Sequence, residues 1–169
     1  DEERARNTVE VIEELESSNL NSTISPSQVN VVSFVPWTGD LKYLKDEPLP
    51  VHTIRNSIES KFIDTTFVST DNEQLAETAR DMGAEAPFLR PESLAEDYVD
   101  IQEVYAFTLE RIEELGYHPD IIVALEPTFP FRPNGLIDLM IEDLQETGLD
   151  TMVAAKQESQ PIFGHDEND

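Results

Sequence analysis

The sequence has no cysteine, which excludes disulfides, thiolate nucleophiles and cysteine-bound metals. It is also short of bases: 11 Lys plus Arg stand against 36 Asp plus Glu, for a formal net charge of -25. Such a surface repels nucleic acid and anionic membrane, and it repels nucleoside triphosphates unless a metal or a local basic cluster intervenes. Two readings of the acidic surface stand, a solvated charged face or adaptation to high salt. No apolar run approaches the ~20 residues that span a membrane, and the start, DEERARNTVE, has no signal-peptide pattern. A cytoplasmic location away from membranes is the expectation, and the sequon NST at Asn21 is read as chance. The three histidines, His52, His118 and His165, stand beside no nucleophile or metal set. No D-x-D motif occurs, which argues against a metal-dependent glycosyltransferase.

What is present is enough for one compact domain, since 38% of the chain is hydrophobic. Residues 1–18 read as a helix, with Val9, Ile12 and Leu15 at helical spacing, and the polar SSNLNSTISPSQ follows as a linker. The expected division is therefore 1–28 as an N-terminal helix and linker, and 29–169 as the main domain. From Val29 strands and helices alternate. VNVVSFV, TTFVST, DIIVALEP and DTMVAA read as strands, DIIVALEP being the clearest buried one. A helix enters through Pro50. Another is capped by Asp71 and stopped by Gly83, a third stops at Gly116, and a fourth is capped by Asn134 and stopped by Gly148. The fold class is α/β: a three-layer, Rossmann-like, mainly parallel sheet with helices on both faces. Segments 31–35, 66–69, 121–125 and 151–154 are expected as neighbouring parallel strands, buried on both faces. Ligands in such sheets bind beyond the carboxyl ends of the strands, so the loops from Pro36, Ser69, Glu126 and Lys156 carry the candidate site.

Three segments together resemble the sugar cytidylyltransferases that make CMP-activated acidic sugars, such as CMP-sialate synthetase. FVSTDNEQLAETARDMGAEAPFLRPESLAED, from Phe67 to Asp97, is similar to that family's strand–helix–strand with its S-T-D and L-R-P elements. DIIVALEPTFPFRP, from Asp120 to Pro133, is similar to its strand ending in Q-P-T-S-P-L-R. EPLPVHTI, from Glu47 to Ile54, resembles its helix start G-K-P-L-I-x-x-T-I. The resemblance implies a nucleotide-diphospho-sugar transferase type of α/β domain, usually dimeric, that uses CTP, a divalent metal such as Mg2+, and an acidic sugar. It also implies that the domain continues past Asp169, where the family places a further metal-binding Asp.

The first loop departs from the family. Where the family has A-R-G-G-S-K-x-x-P-x-K-N, Pro36 is followed by WTGDLKYL, shorter by roughly eight residues on that alignment. The Arg and the two Lys expected to face phosphate are absent, and Asp40 stands in the place of the Asn. Asp100 replaces a serine, Glu126 the Gln before P-T, and Phe129 the Ser after it. Carried over onto matching positions, nucleotide contacts fall on Gly39, Lys42 and Arg90, sugar contacts on Thr128 and Arg132, and a metal ligand on Glu126. Three of these also have a plain structural reading, Glu126 as a solvated loop carboxylate and Arg90 and Arg132 in internal ion pairs, while Thr70 and Asp71 read as helix caps. Trp37 either plugs the nucleotide space or stacks on a base, and burial of so large an apolar group favours the plug. The residues thus leave two functions: CMP transfer from CTP to an acidic sugar such as sialic acid, or a catalytically inactive relative serving as a binding, regulatory or structural module.

Overall fold

The computed structural model describes residues 29–96 and 98–155. The expected helix and linker of 1–28, the loop from Lys156 and His165 lie outside the described residues.

Strand β1 (Val31–Trp37) reads VVSFVPW and is buried along its whole length. It pairs in parallel with β4 (Thr65–Thr70) on one side and β5 (Ile121–Ala124) on the other, in the order β4-β1-β5. Pro36 tolerates this central position for a reason visible in the register. Pairing with β5 ends at Phe34, whose carbonyl accepts the Leu125 N–H, so the missing Pro36 N–H faces a side where β5 has already ended.

The two faces of the sheet carry separate cores, as the two-residue repeat of a strand requires. Val35, Trp37 and Val68 pack with Ile54 of α1 (Leu49–Ile58) and with Leu75, Ala76 and Ala79 of α2 (Glu73–Asp81). Ile137, at the start of α4 (Leu136–Thr147), packs on this side too. The opposite face sets Val32, Phe34 and Phe67 against Ile112 of α3 (Ile101–Glu114), with Tyr105 and Tyr117. Phe67 meets Tyr117 edge-on at 4.9 Å between ring centroids, a geometry the ring quadrupoles favour. The expected layered α/β architecture is therefore present.

Between β1 and α1 lies a feature the sequence did not announce. Strands β2 (Tyr43–Leu44) and β3 (Glu47–Pro48) form a small antiparallel hairpin, turned through Lys45 at φ 57°. Arg55 ties it to α1 through a two-point contact with Glu47, at 2.8 and 3.2 Å. That bond holds the Glu47 carboxyl below the usual carboxylate range.

Four expectations are corrected. The N-cap of α2 is Asn72, whose side chain accepts the Leu75 N–H at 2.9 Å; Asp71 is engaged elsewhere, by the β1 loop. The N-cap of α4 is Gly135 at φ 77°, a left-handed conformation that Asn134 does not have to supply. β5 is half-exposed rather than buried on both faces, with Ile122 42% accessible, because it is the edge strand of the described sheet. Residues 151–154 form no strand; they are mostly exposed and pair with nothing in the described sheet. The helix stops at Gly83, Gly116 and Gly148 are present, each at positive φ.

A chain of buried hydroxyls fastens α1 to the sheet: Ser33 Oγ lies 2.5 Å from Ser57 Oγ, which lies 2.7 Å from Thr66 Oγ1. All three residues are buried. Replacing the middle member, Ser57→Ala, leaves two buried hydroxyls short of a partner. The expected cost is about 1–3 kcal/mol, read as a lower urea midpoint at unchanged slope.

Candidate functional site

The carboxyl ends of β1, β4 and β5 open on the same edge of the sheet. The register sets Trp37 beside Thr70, so the next residues of the two chains, Thr38–Gly39 and Asp71–Asn72, must run together. They are bonded to one another. The Gly39 N–H donates to Asp71 Oδ1 at 3.0 Å and Oδ2 at 3.3 Å, and Asn72 Nδ2 donates to the Gly39 carbonyl at 3.1 Å. Thr38 Oγ1 donates to the Ala95 carbonyl at 3.0 Å. Gly39 itself has φ 69°, which suits a residue without a Cβ.

Beneath this loop lies Arg90, 5% exposed. Its Nη2 donates to the Trp37 carbonyl at 2.7 Å, and its own N–H donates to the Thr70 carbonyl at 2.8 Å. Burial lowers its pKa, and the negative charge of Asp71 offsets part of that. Trp37, expected in a loop, is the last residue of β1 and is buried with the core residues of the α1–α2 face. Two buried donors here, Trp37 Nε1 and Arg90 Nε, have no acceptor among the described residues.

A second group forms at the end of β5. Glu126 Oε1 accepts from the Tyr105 hydroxyl at 3.2 Å. Burial, then the Glu126 charge and hydrogen bond, push the Tyr105 pKa far above its ordinary value. The phenol therefore stays protonated and acts as a fixed donor that orients Glu126. Arg132 Nη2 donates to the Glu126 carbonyl at 2.6 Å, and Nη1 donates to Thr53 Oγ1 at 3.0 Å. This closes the loop after β5 onto α1. Burial lowers the Arg132 pKa and the Glu126 charge partly restores it. Among the described residues neither Arg90 nor Arg132 makes the internal ion pair weighed for it; each bonds to a backbone carbonyl, and Arg132 to a hydroxyl as well.

The other candidates are placed less tightly. Lys42 is exposed, and the fold uses its carbonyl, which accepts the Leu49 N–H at 2.6 Å. Thr128 is exposed in the loop after β5. Asp100 caps α3, its Oδ1 accepting the Gln102 N–H at 2.9 Å. A cavity of about 190 Å3 is lined by Arg132 with Asn56, Ser60, Asn134 and Asp138, and neither Gly39, Arg90 nor Glu126 lines it. Sequence reasoning missed two site residues: Asp71 as the partner of Gly39, and Tyr105 as the partner of Glu126. The signal for Asp71 was its place directly after a strand end. For Tyr105 it was a hydroxyl on the buried stripe of a helix.

Arg132 generates a stability prediction. Arg132→Lys keeps the charge but cannot hold two acceptors in a fork. The expected loss is about 1.5–3 kcal/mol in urea unfolding, with faster proteolysis in the 126–132 loop.

A family model described as Cytidylyltransferase matches residues 40–165. The chain is 34% identical over 107 residues to CMP-N,N'-diacetyllegionaminic acid synthase of Legionella pneumophila, covering 63% of this chain and 46% of that protein. It is 27% identical over 116 residues to pseudaminic acid cytidylyltransferase of Campylobacter jejuni, covering 69% of this chain and 50% of that protein. The chain thus spans about half the length of the curated relatives it matches. A solved CMP:2-keto-3-deoxy-manno-octonic acid synthetase complexed with CTP superposes with a TM-score of 0.57 at 12% identity, covering 70% of this chain and 48% of that one, a likeness of fold. With the family pattern running through well over half of its residues, the chain belongs to the cytidylyltransferase family.

Proposed function

We propose that this chain is the nucleotide-binding part of a CMP-sugar synthetase, moving CMP from CTP to an acidic sugar of the legionaminic, pseudaminic, octulosonic or sialic kind. The family match over 40–165 carries the reading, supported by the names of the relatives. In the reaction, a sugar hydroxyl oxygen forms a bond to the α-phosphorus of CTP. The bond from that phosphorus to the β-phosphate oxygen breaks, pyrophosphate leaves with the electron pair, and the hydroxyl proton passes to solvent.

The residues take the following parts. Gly39 and Lys42 face the phosphates from the β1 loop, and Arg90 lends its positive field from below. Thr128 offers a hydroxyl to the sugar. Arg132, with two donors already committed to Glu126 and Thr53, acts on the sugar carboxylate through its charge. Among the described residues no three His, Asp or Glu side chains gather to enclose a metal. Glu126 by itself fits magnesium, which is commonly held by one or two carboxylates together with substrate phosphates. When bound, the ion supplies positive charge to the phosphates. The proposal extends to a homodimer, to the cytoplasm, and to a protein with no nucleic-acid or membrane partner. Among the described residues no helix is long and apolar enough to cross a membrane.

One observation favours the second reading, an inactive relative: the Gly39 N–H is already taken by Asp71. Calorimetric titration with CTP, with and without magnesium, separates the two. The loop lacks at least two basic groups, each worth roughly 1.5–3 kcal/mol as a charge-assisted hydrogen bond. Affinity is therefore expected near the millimolar range, about two to four decades below a complete loop, and tightened by magnesium. Absence of any CTP binding at millimolar concentration would refute the synthetase reading. Micromolar binding would show that the short loop cradles the triphosphate after all.

Glu126→Gln tests the metal position. The variant is expected to lose the magnesium-dependent part of CTP binding while its urea midpoint barely moves. Full retention of the magnesium effect would make Glu126 a loop carboxylate.

A further inference from the structure

The bonds around Gly39 are those of a site already holding an anion. Its N–H, in a left-handed glycine at a strand end, is the kind of donor that faces a phosphate in nucleotide loops. Here both oxygens of Asp71 lie against it, at 3.0 and 3.3 Å. Other groups of the loop are also bonded: the Gly39 carbonyl to Asn72, the Thr38 hydroxyl to the Ala95 carbonyl, and the Trp37 carbonyl to Arg90. Asp71 does not cap α2, because Asn72 does. Its carboxylate is therefore free of helix duty and specific to the loop.

We propose that Asp71 is an internal stand-in for a substrate phosphate: it occupies the Gly39 N–H, holds the β1 loop shut, and is displaced when a polyphosphate binds. The inference rests on the nucleotide reading above and adds an autoinhibitory contact to it. A carboxylate and a triphosphate cannot share one N–H, and their like charges repel at contact distance. Binding must therefore either move Asp71 aside or forgo the loop. Among the described residues the shut loop also leaves Trp37 Nε1 and Arg90 Nε buried without acceptors. Such groups are disfavoured, so the shut arrangement is not the one that best satisfies its donors and has reason to yield.

The test uses the full chain and two substitutions, Asp71→Ala, which removes charge and acceptor, and Asp71→Asn, which removes charge alone and keeps the shape if the alanine variant folds poorly. Trp37 is the sole tryptophan, so its fluorescence and acrylamide quenching report on the loop without ligand. Inorganic triphosphate and CTP are then titrated without metal. Asp71→Ala should quench more readily than the native chain and bind triphosphate about tenfold to a hundredfold more tightly, with Asp71→Asn between. Unchanged quenching in Asp71→Ala, or triphosphate affinity equal to or below native in both variants, overturns the proposal. CTP bound equally by all three proteins removes the Asp71 contact and keeps the synthetase reading. Tighter triphosphate binding with no preference for CTP over ATP keeps the contact and removes the cytidine reading. No binding of either ligand by any of the three overturns both.

Discussion

The register of β1 against β4 is the constraint on which the site depends. Val35 beside Val68 and Trp37 beside Thr70 place the two strand ends level, so the chains leaving them meet. A slip of β4 by one residue would turn Phe67 from the α3 face to the α1–α2 face and Val68 the other way. Both cores therefore oppose it. The contact between Gly39 and Asp71 follows from this pairing more than from any affinity between those two residues. The buried hydroxyls of Ser33 and Thr66 lie on neighbouring strands of the same pair and meet Ser57 of α1. They act as a polar index that keeps α1 above one position of the sheet.

Much of this frame was legible in the sequence. Runs such as VVSFV and TTFVST have β-branched and aromatic residues that suit a pleated, buried surface, and Gly83, Gly116 and Gly148 supply the left-handed stop after three of the helices. What could not be read depended on neighbours. DIIVALEP has the composition of a buried strand, yet whether it is buried on both faces depends on a strand beyond it, and DTMVAA does not pair there. The hairpin at 43–48 is two residues wide on each side, too short for any periodicity to show. Its hold is the Glu47–Arg55 contact, eight residues apart in sequence. At the site, the residue positions were legible and their partners were not. Arg90 and Arg132 were read as anion contacts or ion-pair members. The fold uses both guanidinium groups on carbonyls, because each is drawn under a loop whose backbone acceptors would otherwise be buried without donors.

The same displacement of role runs through the acids. With so few bases, most carboxylates have no cation to meet, and among the described residues the ion pairs involve Glu47 and Glu114. Aspartates turn instead to backbone N–H groups. Asp64 accepts from Val31, Asp120 from Asn30, Asp100 from Gln102, Asp138 from Lys61, and Asp71 from Gly39. The first two close the start of β1, where its amides have no strand partner. Charge-assisted bonds of this kind are stronger than neutral ones, so an acidic chain can seal its strand and helix ends without lysine or arginine. This is also why the acids looked like featureless surface in the sequence: their partners are backbone groups, which every residue carries.

The charge balance bears on the site in a more local way than the net figure of -25 suggests. At physiological ionic strength the Debye length is about 8 Å, so most of the acidic surface is screened from a ligand at the strand ends. On the proposed reading, a polyphosphate would meet a short inventory there. Asp71 and Asp40 oppose it, Lys42 attracts it from an exposed position, and Arg90 attracts it from beneath through a region of lower dielectric, where its field is less weakened. Moving Asp71 aside changes two members of that inventory together. It frees the Gly39 N–H, and it leaves the Arg90 charge without the carboxylate that now offsets it. The loop is thus poor in bases but not without positive potential. The carboxylate that offsets Arg90 is that of Asp71, and the register that built the sheet put that side chain there.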